Sequence, residues 1–97
     1  MPLFVLTCTD KPDSHELRAT TRDAHLAYLA DREDVRLGGP FLDEAGRSVG
    51  SLLIVEAADR TAAIAFAEAD PYARAGLFAR VEVQPWRLVV GGFAGPA

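Results

Sequence analysis

The chain has 97 residues, 49% of them hydrophobic and 25% charged, with a formal net charge of −4 and a pI of about 5.0. That is enough for one globular domain and too little for two; the acidic balance argues against nucleic acid as a partner, and no apolar stretch nears the roughly 20 residues that cross a bilayer. The single cysteine, Cys8, has no internal partner for a disulfide, and the start of the chain lacks a basic leader, so a cytoplasmic protein with no membrane attachment is expected.

Leu3 to Thr9, "LFVLTCT", is a short run of strand formers closed by Asp10-Lys11-Pro12-Asp13, and such a run suits a central strand covered on both faces. Asp13 or Ser14 can cap a helix reaching about Arg32, with Glu16 in its first turn. The expected buried stripe of that helix is Leu17, Thr21, Ala24 and Tyr28, with Leu29 alongside. A second strand follows over Val35 to Leu42, and Pro40 within it requires an edge or a bulge because proline cannot donate to a ladder. Asp43 to Arg47, "DEAGR", is a hairpin connection with Gly46 available for positive φ, and Gly50 to Ala57 forms the third strand. Asp59 caps a second, alanine-rich helix, "RTAAIAFAEA". Asp70-Pro71 then interrupts it, and about one more helical turn is expected over Tyr72 to Ala75. Ala79 to Val90 closes the fold as a strand in which Val81 and Val83 alternate with Arg80, Glu82 and Gln84, the pattern of a half-buried antiparallel strand. The tail over 91–97 reads as mobile.

The order β-α-β-β-α-β, with right-handed crossovers, folds most simply as a ferredoxin-like α+β domain, an antiparallel sheet with both helices on one face. Both proline-bearing strands then fall on the sheet edges, where proline is tolerated. The other sheet face is left bare. A chain this short buries only roughly 60–65% of its unfolded surface, so pairing with a second copy would cover that face.

Spacings of three and four put Arg18, Arg22 and His25 on one stripe of the first helix. That stripe is either a solvated cationic face or one that carries a histidine used as a general base or acid, with the two arginines before it. Asp70 is likewise either an N-cap for the short turn or a carboxylate held for use, and the two roles are compatible. Ser51, after Gly50, lacks the G-x-S-x-G elbow of a nucleophile and reads as a hydrogen-bonding or turn residue. Tyr72 and Trp86 are candidate pocket walls. Cys8 reads as a small buried hydrophobe, and His15 as an exposed residue at the helix start. Two histidines and one cysteine without H-x-x-x-H or C-x-x-C spacing make a metal site unexpected.

Five stretches taken together resemble the YciI-like, or YCII-related, family: "R-x-x-H-L-x-Y-L" (Arg22, His25, Leu26, Tyr28, Leu29), "GGPFLDEAG" (Gly38 to Gly46), "GSLLIVEA", "DPYARAGLF" and "V-x-P-W" (Val83 to Trp86). The resemblance implies a ferredoxin-like domain that dimerises face to face into an α/β barrel. It also implies an active-site pair that maps onto His25 and Asp70. Some members are associated with dehydrochlorination of a chlorinated, hydroxylated aromatic, and the wider superfamily includes isomerases. The resulting expectation is an enzyme without metal or cofactor, acting on a small anionic or aromatic molecule by proton transfer. In it Asp70 orients His25, Arg22 or Arg18 holds an anionic oxygen, Gly39, Pro40 and Ser51 shape the floor, and Tyr72 and Trp86 form apolar walls. The alternative is a non-catalytic module that uses the same cleft to sense a small anion.

Overall fold

The structure, a computed structural model, describes residues 1–92. Seven elements follow in order: β1 (Leu3–Asp10), α1 (His15–Leu29), β2 (Val35–Leu42), β3 (Ser48–Glu56), α2 (Arg60–Ala69), α3 (Pro71–Arg74) and β4 (Phe78–Trp86). The four strands form one antiparallel sheet in the order β2-β3-β1-β4. This is the ferredoxin-like α+β arrangement, with β1 and β3 central and the two proline-bearing strands outermost. Pro40 sits opposite Ser51 and Pro85 opposite Phe4, each on an edge strand whose outer side needs no donor.

Register decides which side chains share a face. Phe4, Leu6 and Cys8 of β1 lie opposite Val55, Leu53 and Ser51 of β3, and Leu6 lies opposite Val83 of β4. This face carries the core, made of Phe4, Leu6, Leu53, Val55, Ala57 and Val83 under Ala63, Phe66 and Ala67 of α2, with Tyr28 and Leu29 of α1 packed against them. Both long helices therefore cover the same face. The alternate residues of β1, Leu3, Val5 and Thr7, are only half-buried, and Leu37 and Phe41 of β2 are exposed at 36% and 41% on that second side. The apolar residues there have no helix above them.

Several boundaries differ from the sequence reading for local reasons. α1 stops at Leu29 rather than near Arg32, because Ala30 is extended and Asp31 takes φ of 59°. Ser14 is the N-cap residue, but its side chain makes no cap hydrogen bond; its hydroxyl donates to the Lys11 carbonyl instead. The final strand ends at Trp86, so residues 87–90 are exposed chain rather than strand. Of the tail expected over 91–97, residues 93–97 lie outside the described residues. The capping of α2 is as the sequence suggests, with the Ala62 N–H donating to Asp59 Oδ1 at 2.8 Å. At the β2–β3 turn Gly46 has φ of 82°, and Asp43 Oδ1 accepts from the Ala45 and Arg47 N–H groups.

The buried face of α1 is the largest departure. Arg18 and His25 are its buried residues, while Ala24 is exposed and Leu17, Thr21, Tyr28 and Leu29 are half-buried. The expected stripe is thus half-buried apart from Ala24, the deepest positions are polar, and Arg18 and His25 are not a solvated cationic face. Burial of such groups requires partners, and each has them.

Candidate active site

Pro71 ends α2 and begins α3, and Asp70 between them serves both helices. Its backbone is the C-cap of α2, and its Oδ1 accepts the Tyr72 N–H at 2.9 Å as the N-cap of α3. The same oxygen lies 2.8 Å from His25 Nδ1, with both side chains less than one-tenth exposed. An aspartate whose backbone is fixed by two helix ends is a rigid orienting partner for an imidazole. Cap and partner are one residue. The His25 ring also stacks on Tyr72, with centroids 3.9 Å apart and planes 16° from parallel, so its tilt is set by an aromatic face and its rotation by a carboxylate. A carboxylate acceptor at Nδ1 keeps a proton on that nitrogen and leaves Nε2 as the basic one. No buried polar side-chain atom lacks a partner among the described residues. Nε2, with no protein partner, therefore reaches the solvent of the cleft that His25 lines.

Two turns before His25 on α1, Arg18 makes a second buried constellation. Its Nε donates to Asp10 Oδ2 at 2.7 Å and its Nη2 to Asp10 Oδ1 at 3.1 Å, while Nη2 also donates to Ser51 Oγ at 2.9 Å. The guanidinium lies 4.7 Å from the Tyr72 ring centroid. Burial works against the Arg18 charge, but the hydrogen bond and the charge of Asp10 outweigh it and raise the pKa above the ordinary arginine value. The Tyr72 hydroxyl is also pushed up, by burial first, with Arg18 and Arg22 pulling it back. Cys8 lies on the same side of the sheet. Burial, then the negative charges of Asp70 and Asp10, push its thiol up to about 12 against the opposing pull of Arg18. It stays a protonated thiol near neutral pH, and nucleophilic chemistry needs the thiolate.

Beside these groups lies a cleft of about 420 Å³ between α1 and the β2–β3 half of the sheet. Arg18, Arg22, His25, Gly39, Pro40, Ser51 and Tyr72 all line it. Asp70 does not line it but stands behind His25. Trp86 is elsewhere: it borders a separate hollow with Met1, Pro2 and Leu3. Its register explains why, since Trp86 lies opposite Leu3 at the far end of β1 from Asp10. Trp86 is therefore not a wall of this cleft. The apolar walls are Leu26, Leu29, Val35 and Leu53.

Asp10, which the sequence marks only as the end of β1, is the carboxylate that holds Arg18 beside the cleft. The signal lay in the connection. Only Lys11 to Ser14 separate β1 from α1, so α1 must turn back over the sheet at once and its first turns pass beside the end of β1.

Over residues 2–87 the sequence matches the YCII-related domain. The chain belongs to the YCII-related family. It is 38% identical to Protein YciI of Escherichia coli O6:H1, over 90% of this chain and 98% of that one. An uncharacterized Haemophilus influenzae protein is 33% identical over 89% and 97%. Among solved structures, this YCII-related fold is similar to the 5-chloro-2-hydroxyhydroquinone dehydrochlorinase TftG of Burkholderia phenoliruptrix AC1100 in complex with 2,5-dihydroxybenzoquinone. The TM-score is 0.80 at 36% identity, covering 88% of this chain and 93% of that one. An antibiotic biosynthesis monooxygenase matches at a TM-score of 0.56 with 14% identity, covering 93% of this chain and 100% of that one, which speaks to the fold alone. No helix among the described residues is long and apolar enough to cross a membrane.

Proposed function

We propose that this protein is a small-molecule enzyme in which His25 Nε2 moves a proton on a ligand held in the cleft, while Asp70 holds Nδ1 and stabilises the imidazolium that forms. The reaction class is proton abstraction followed by elimination, as in loss of chloride from a hydroxylated chloroaromatic, or by isomerisation. The observation that carries this reading is the 2.8 Å contact between His25 Nδ1 and a doubly anchored Asp70 beside an open cleft. A histidine with one nitrogen fixed by a carboxylate and the other facing substrate is the arrangement that general acid–base catalysis requires. The similarity to a dehydrochlorinase supports elimination as the first chemistry to try. We further propose that the bare sheet face, with Val5, Leu37 and Phe41, is covered by a second copy of the chain, as the family resemblance implies.

The test is chloride release from 5-chloro-2-hydroxyhydroquinone and related hydroxylated chloroaromatics, alongside ring isomerisation of dechlorinated analogues. The wild type is expected to turn over at least one class, and His25→Ala to lose about 10²- to 10⁴-fold in kcat. Turnover that persists in His25→Ala refutes the assignment. The non-catalytic reading, a module that only captures a small anion, is favoured if ligands bind the cleft and none reacts.

A further inference from the structure

Two arginines line the cleft, and they are not equivalent. Arg18 spends Nε and Nη2 on Asp10 in a pair whose side chains are only 10% and 6% exposed, so its charge is already matched, and only its Nη1 is left without a protein partner among the described residues. His25 faces its own carboxylate, Asp70. Arg22 is exposed at the cleft edge and makes no hydrogen bond or ion pair among the described residues. The cleft therefore offers one uncommitted positive charge. Ser51 supplies the complementary observation. Its buried Oγ accepts the Arg18 Nη2–H, and no protein acceptor takes its hydroxyl hydrogen among the described residues. With its oxygen already accepting from Arg18, the hydroxyl is left as a donor for whatever enters the cleft.

We propose that the cleft selects a singly charged organic oxyanion, held between the Arg22 guanidinium and the Ser51 hydroxyl, and that Arg18 is a positioning residue that acts on the ligand through Ser51. This rests on the cleft being the working site. A second negative charge on the ligand would find no free cation, since Asp10 and Asp70 already match the charges of Arg18 and His25, and it would sit unpaired in a partly desolvated space, which is costly. Replacing the charge by an ester leaves Arg22 with nothing to pair. The selectivity is thus for charge number as well as for sign.

The test is binding of benzoate, methyl benzoate and isophthalate to the full chain, followed by amide chemical shifts. Benzoate is expected to bind about 10- to 100-fold more tightly than either of the others, the range of one charge-assisted hydrogen bond. Arg22→Gln should erase the preference for benzoate over its ester. Ser51→Ala should weaken benzoate about 2- to 10-fold, and Arg18→Lys, which keeps a cation beside Asp10 but cannot reach both partners, should weaken it by the same factor. Combining those two should give no further loss, because both remove one oriented donor. Multiplying losses would make Arg18 an independent anion ligand and overturn its role. Should Arg18→Lys fold poorly, the paired change Asp10→Asn with Arg18→Gln, which leaves no buried charge unmatched, takes its place in the same additivity test with Ser51→Ala. Equal binding of isophthalate, or no binding of benzoate, overturns the proposal. Repeating the series in a His25→Gln background separates it from catalysis: a pattern that survives there stands whether or not the protein is an enzyme, and its absence beside His25-dependent turnover sinks the charge selection alone.

Discussion

Asp70 offers the sharpest perturbation, because one oxygen serves a helix cap and a histidine at once. Removing the side chain by Asp70→Ala costs the cap, about 1 kcal/mol. It also leaves the buried His25 Nδ1–H unpaired, about 1–3 kcal/mol more. The sum, about 2–4 kcal/mol, is a large share of the roughly 5–15 kcal/mol that a domain of this size holds. At about 4–8 °C per kcal/mol, melting should fall by roughly 10–30 °C. Asp70→Asn is the informative contrast. Its amide oxygen can still accept from the Tyr72 N–H and from His25, so the cost should stay near 1 kcal/mol and the melting shift within about 8 °C. The negative charge, however, is gone, and with it the stabilisation of an imidazolium once Nε2 has taken a proton. Turnover of whichever substrate the wild type accepts should then fall about 10²-fold or more per folded molecule, with little change in KM. Circular dichroism melting and initial-rate kinetics on the same preparations separate the two roles. If Asp70→Asn melts as low as Asp70→Ala while turnover per folded molecule is intact, the aspartate is a cap and nothing more.

Three further outcomes follow from packing, titration and the open face. A Cβ on Gly50 would lie 2.5 Å from the Cys8 carbonyl oxygen, which is backbone and cannot yield, so Gly50→Ala should destabilise by about 1–3 kcal/mol in urea unfolding; on Gly38 the severe clash is with the movable Leu53 Cδ2, the Leu52 carbonyl oxygen being at an ordinary 3.4 Å, so Gly38→Ala should cost less and narrow the cleft instead. Between pH 9 and about 12 the folded chain keeps the Cys8 proton that the unfolded chain has released; stability should therefore fall as pH rises through that window, by up to about 1.4 kcal/mol per pH unit, and Cys8→Ala should flatten the slope. Sedimentation velocity should find a dimer that Leu37→Glu or Phe41→Glu converts to monomer without changing the far-ultraviolet spectrum; a monomeric wild type would refute the pairing.

The strand and helix order was legible because each element carried its own local instruction. Pro40 and Pro85 point to an edge or a bulge, Asp59 and Asp70-Pro71 mark helix ends, and Val81 and Val83 alternate with polar residues. The limits of β2 follow the sequence closely for the same reason, whereas the end of α1 depends on Ala30 and Asp31 leaving helical geometry in a stretch with no proline or glycine to announce it. Which face of α1 turns inward was the harder question. Leu17, Thr21, Tyr28 and Leu29 of the expected stripe are half-buried, but the helix buries an arginine and a histidine more deeply, because partners elsewhere in the chain satisfy them.

Asp10 shows why a site of this kind is only half visible in sequence. Arg18 stands eight residues from Asp10 and 33 from Ser51, and His25 stands 45 from Asp70. The histidine and the motif aspartate attract notice because their residue types announce chemistry. Asp10 at a strand end announces only a stop, and nothing local distinguishes it from Asp13, which is exposed with φ of 56°. What converts Asp10 into part of the site is topology. The central strand β1 ends where α1 begins, so the end of one and the first turns of the other must meet, and an arginine buried there requires a carboxylate. That requirement, rather than any motif, makes Asp10 and Arg18 a single unit. It also leaves Arg22 as the cation that a ligand can use.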